Sequence, residues 1–105
     1  MEARDLKADT GALGATPIGD LVDRSQATVC GVVRSLTLRP GVNVPALVAE
    51  ISDGSQTLNL IWLGRRRIGG VVAGTHLSAT GRVTYRRGVA MIFNPAYEIR
   101  PDRVH

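Results

Sequence analysis

Residues 46–63 read ALVAEISDGSQTLNLIWL, two alternating runs either side of an Asp-Gly step. In the first run Leu47, Ala49 and Ile51 fall on one side, and Val48, Glu50 and Ser52 on the other. In the second, Leu58, Leu60 and Trp62 oppose Thr57, Asn59, Ile61 and Leu63. Successive side chains of a strand point to opposite faces, so each run can bury one face and turn the other outward. Asp53-Gly54-Ser55 supplies the turn, and the stretch predicts an antiparallel hairpin.

The same signature extends in both directions. Upstream, residues 27–38 read ATVCGVVRSLTL and predict a long first strand with Val29, Gly31 and Val33 on one face. A glycine in mid-strand marks a bend or bulge, which a strand serving both halves of a small barrel requires. The segment RPGVNVP at 39–45 cannot continue it and predicts a loop. Downstream, a fourth strand begins at Gly74-Thr75, with Leu77, Ala79, Gly81 and Val83 inward. Arg86-Arg87-Gly88 turns into a fifth strand, Val89 to Asn94, which Pro95 ends. Between strands three and four, Gly69-Gly70 disfavours a long helix, leaving a helical turn or an irregular crossing. Thr16-Pro17 before IGDLVDR predicts a short N-terminal helix, its cap at Thr16 and Ile18, Leu21 and Val22 on one side.

The 105 residues suffice for one domain, and 44% hydrophobic with 21% charged residues is a globular composition. We divide the chain into an acidic arm at 1–15 and a single domain at 16–105. The apolar runs are short, so no membrane span is expected, and the acidic N-terminus lacks the apolar stretch of a secretory signal. Cytoplasmic residence is the expectation. The lone Cys30 excludes an internal disulfide framework, and His76 and His105 stand far apart in sequence, so neither metal nor cofactor is expected. Asp53 is accounted for by its turn, no nucleophile motif such as G-x-S-x-G is present, and no catalytic residue is assigned.

Charge is unevenly spread. The first 23 residues carry −3 and the remainder +7, the positive side supplied there by arginine alone. A basic domain with this field attracts a polyanion.

The strand order, with its Asp-Gly turn, resembles the all-β, five-stranded Greek-key barrel of the OB fold. Val29 with Gly31-Val32-Val33 resembles the V-x-G-x-V of first strands in OB domains of the anticodon-binding type. Asp53-Gly54-Ser55-Gln56-Thr57-Leu58 resembles their D-G-T-G-x-L turn, with Gln56 in place of the second glycine. Gly74-Thr75 and Gly81-Arg82-Val83 resemble the fourth-strand pattern G-x-x-V-x-V-x-G-K-V. Asn94-Pro95-Ala96-Tyr97-Glu98 resembles the N-P-E-Y-E that closes the wedge domain of bacterial branch-migration DNA helicases. The likeness covers about residues 17–99. No G-x-x-x-x-G-K-[ST] loop accompanies it, so a motor is not expected in this chain.

The resemblance implies a stand-alone module for single-stranded or junction nucleic acid, DNA or RNA, bound with little sequence preference. OB barrels bind on the outer face of strands two and three, between the loops joining strands one to two and four to five. Here that region offers Asn59 and Ile61 on the face, Arg34 and Arg39 on one side, and Tyr85, Arg86 and Arg87 on the other. Arg65, Arg66 and Arg67 form the densest positive charge and follow strand three directly. Tyr85 is expected to be exposed and able to stack on a base. Trp62 shares the inward face with Leu58 and Leu60 and is assigned to the core, while Phe93 stays open between the two faces. The alternative is a structural or protein-interaction module, meeting a protein partner or a second copy through Val32, Val48 and Ile61.

Overall fold

The structure is a computed structural model and describes residues 14–100. Six strands are present: β1 (Gln26–Arg39), β2 (Ala46–Ser52), β3 (Thr57–Leu63), β4 (His76–Arg86), β5 (Val89–Phe93) and β6 (Ala96–Arg100). The first five occur in the expected order. The expected arm at 1–15 lies outside the described residues except for Gly14 and Ala15, and Ala15 is buried.

β1 makes the barrel possible. Its first half, Gln26 to Val32, pairs antiparallel with β4, and its second half, Val32 to Arg39, pairs antiparallel with β2. β2 pairs antiparallel with β3, β3 parallel with β5, and β5 antiparallel with β4, so the ring β1-β2-β3-β5-β4 closes on itself. Gly31 sits where β1 passes between its two partners. A Cβ there would lie 2.8 Å from the Ser52 carbonyl oxygen, so no larger residue fits without moving backbone. A bulge between Val33 and Ser35 then adds Arg34 as an unpaired residue on the outer side.

Inward positions follow the alternation. Val29, Val33, Ile51, Leu58, Leu60, Leu77, Val83 and Ile92 are fully enclosed. Trp62 is 5% exposed, donates its indole N–H to the Pro95 carbonyl (3.3 Å), and meets the Tyr97 ring edge-on at 5.8 Å. Among the described residues no buried side-chain nitrogen or oxygen lacks a partner.

Two expectations change, and one left open is decided. The N-terminal helix is a single 3-10 turn at Ile18–Asp20, because Thr16 gives its N–H to Thr28 and Asp53 takes that of Ile18 (2.8 Å). Ile18 and Leu21 are buried as expected, but Val22 faces solvent. Residues 64–75 form the irregular crossing rather than a helical turn, pinned by buried Ile68 and Val71. The chain also does not stop pairing at Pro95: β6 adds to the outer edge of β4. The step into it is set by Asn94, whose N–H donates to Ile61 and whose side-chain oxygen accepts from Leu63 (2.9 Å).

Candidate nucleic-acid interface

The outer face of β1, β2, β3, β5 and β4 is organised in two rows. One runs Ser35, Glu50, Asn59, Met91, Thr84; the other runs Thr37, Val48, Ile61, Phe93. Paired positions lie about 5 Å apart across strands, so each row is a continuous strip. The first strip is polar at its centre, and the second is apolar. Glu50 is the single carboxylate among the positions that form this face.

Arginines flank the strips at both ends of β3. At its C-terminal end Arg39 leaves β1 opposite Ala46, which itself pairs with Leu63. The N–H of Gly64 donates to the Pro45 carbonyl (2.7 Å), which ties the start of the arginine triplet to the loop between β1 and β2. Arg66 thereby shares an open cleft with Leu38, Pro40, Asn43 and Val44. Sequence spacing alone keeps Arg39 and Arg65–Arg67 apart; the register of three strands brings them to one rim.

At the other end the parallel pairing of β3 with β5 carries the β4–β5 hairpin, with Arg86 and Arg87, to the Thr57 end of β3. Arg87 occupies a left-handed conformation (φ 54°) followed by Gly88 (φ 81°). Such two-residue hairpins select asparagine or glycine at the first position, so an arginine there is held against local preference. Arg34, Arg39, Arg65, Arg66, Arg67, Arg86 and Arg87 are all exposed, and among the described residues none has a carboxylate partner.

No protein-family model matches the chain, and no curated protein matches it by sequence. Solved structures do. The p204 HINb domain superposes with a TM-score of 0.69 over 87% of this chain, at 12% identity. RecG, solved bound to a three-way DNA junction, superposes with a TM-score of 0.66 over 84% of this chain, at 23% identity. The likeness is one of fold. The chain spans 49% of the first of those chains and 12% of the second. The closed five-strand ring is that of an OB-like barrel.

Other expected site residues lie differently from their sequence reading. Tyr85 is not an open ring: it is half-buried against the core, its hydroxyl donates to the Leu21 carbonyl (3.1 Å), and its backbone N–H donates to Asp23. The reason is parity with Val83, which outweighs nearness to the turn. Ile61 and Val48 do point outward, yet are only 7% and 6% exposed, each flanked by paired neighbours in the apolar strip. They make a floor rather than a sticky patch, which corrects their role in the protein-interaction alternative. Asn59 is half-buried between Glu50 and Met91.

Alternation read from the sequence leaves Phe93 undecided, and the structure places it outward and half-buried. The available signal is the burial of Ala90 and Ile92, whose parity excludes Phe93 from the core. Cys30 lies on the other side of the barrel, where β1 pairs with β4. Burial pushes its thiol pKa up, against a weaker opposing pull from Arg100, so it is a poor nucleophile. No cluster of metal-binding side chains occurs among the described residues.

Proposed function

We propose that this protein is an OB module that binds single-stranded or junction nucleic acid across the outer face of β2, β3 and β5, with little sequence preference. The observation that carries the reading is the pair of arginine rims: exposed, without acidic partners among the described residues, and separated by a strip suited to bases. β3, with seven residues, spans about 20 Å between the rims. That length accommodates a few nucleotides, in keeping with the small site sizes of single OB folds. The finer assignment, to anticodon-type OB domains akin to the helicase wedge domain, rests on Asp53-Gly54 and Asn94-Pro95. On this reading the chain is a non-enzymatic binder working in the cytoplasm.

Fluorescence anisotropy of labelled single-stranded, duplex and forked oligonucleotides at several salt concentrations tests the proposal. With about three to five phosphates neutralised, log K falls with log salt at a slope of about −2 to −3.5. Absence of binding to every strand at low salt would sink it.

One observation favours a second reading. Leu38, Val42, Val44 and Leu63 are exposed beside the triplet rim, an aliphatic tip suited to a protein partner. The charge-neutral pair Val42→Ser with Val44→Ser abolishes such an interaction and leaves oligonucleotide affinity within a few-fold.

A further inference from the structure

One aromatic ring stands on the outer face. Trp62 is in the core, Tyr85 is tied to Leu21, and Tyr97 is edge-on to Trp62 with its hydroxyl donated to Gly69. Phe93 ends the apolar strip beside Ile61. The floor beneath a ligand at this point is therefore one half-buried ring continuous with two buried aliphatic side chains.

That ring is already occupied. Arg86 pairs with Val89 at the hairpin, and the row of Thr84 and Met91 lies between it and Phe93. Its side chain nevertheless reaches back across that row and brings the guanidinium carbon to 5.6 Å from the ring centroid. Two routes are open to this exposed arginine, extension into water or attraction to a π face, and it takes the second. A nucleobase stacks on the same face of the same ring, so the two compete for it.

We propose that Phe93 is the base-stacking platform of this surface and that Arg86 is its displaceable cover. An unpaired base moves the guanidinium off the ring, and the released guanidinium turns to a phosphate of the same strand. The inference rests on the nucleic-acid reading above and sharpens it. A platform set within a sheet accepts a base whose face is free, which a duplex offers only at its end.

The test uses Phe93→Leu and Arg86→Ala, each titrated with an oligothymidylate and with an abasic strand of equal length, across salt concentrations. F93L is expected to bind oligothymidylate about 5- to 150-fold more weakly. Its salt slope and its affinity for the abasic strand stay those of the wild type. R86A is expected to flatten the slope by about 0.7. Its line crosses the wild-type line: weaker at low salt, where the phosphate contact dominates, and tighter at high salt, where the uncovered ring does.

Equal oligothymidylate affinity for F93L and wild type overturns the platform, as does an equal loss on both strands. R86A weaker by a constant factor at every salt overturns the cover. If the wild type binds neither strand at low salt, the nucleic-acid reading itself fails, and this inference with it. Should F93L not fold, the R86A lines decide the matter alone, since Arg86 is exposed and its removal leaves the core intact.

Discussion

Replacing Asp53 with alanine removes more than a turn residue. One carboxylate oxygen accepts from the N–H of Ser55 (3.0 Å), the Ser55 hydroxyl (2.7 Å) and the N–H of Gln56 (3.2 Å). The other accepts from Ile18, thirty-five residues earlier, at 2.8 Å. The first three close an exposed turn, and water replaces much of what they contribute. The fourth is part-buried and anchors the segment whose Ile18 and Leu21 join the core. A hydrogen bond to a charged group contributes about 1.5–3 kcal/mol net, so the whole change costs about 2–3 kcal/mol. In a domain of this size that lowers the melting temperature by roughly 10–20 °C. Burial pushes the Asp53 carboxyl up, but hydrogen bonds from Ile18, Ser55 and Gln56 outweigh it and hold the pKa below the ordinary value. A depressed folded pKa means the stabilisation is complete above the unfolded value, about 3.9, and is lost as pH falls through the folded value. Thermal unfolding followed by circular dichroism should therefore give a constant gap between wild type and D53A near neutrality, and a shrinking gap below about pH 4. A gap under about 3 °C at pH 7, equivalent to less than about 1 kcal/mol, would refute the reasoning, as would a full gap persisting in strong acid.

Alanine at Arg65, Arg66 and Arg67 together should flatten the salt slope of oligonucleotide binding by up to about 2, a share of about 0.7 for each phosphate no longer neutralised. The three side chains are exposed, so the melting temperature should not move. Arg87→Asn relieves a left-handed arginine and should raise stability by about 1 kcal/mol in chemical denaturation. The same change should weaken binding, a trade of function against local comfort. Gly31→Ala drives a Cβ against the Ser52 carbonyl and should cost about 1–3 kcal/mol, read from the denaturation midpoint.

Alternation makes most of the barrel legible. Leu58, Leu60 and Trp62 declare the inside of β3 by their spacing alone, and Gly31 declares the bend of β1. Parity gives direction, however, and says nothing of cover: Val48 and Ile61 point outward and are still enclosed, because burial depends on neighbours that are distant in sequence. Continuing the alternation from Val83 places Tyr85 inward, but its turn neighbours suggest exposure. β6 is hard to read because its alternation, Tyr97 and Ile99 against Glu98 and Arg100, lasts only five residues behind Pro95, and as an edge strand it buries little. The rims are legible as charges and not as rims. Arg39 and Arg66 lie at one end of the sheet only because β1, β2 and β3 are registered as they are.

Trp62 is the only tryptophan of the chain. It is an optical probe built into the strand that also carries the binding face, but on the opposite side of the sheet. Its indole is held by Pro95 and abuts Tyr97, so its emission will follow the opening of the barrel and the release of β6. A ligand on the outer face lies a sheet thickness away from it. Intrinsic fluorescence is thus a faithful thermometer for this protein and a poor counter of its ligands, and a flat emission trace during a titration is the expected companion of binding, not evidence against it.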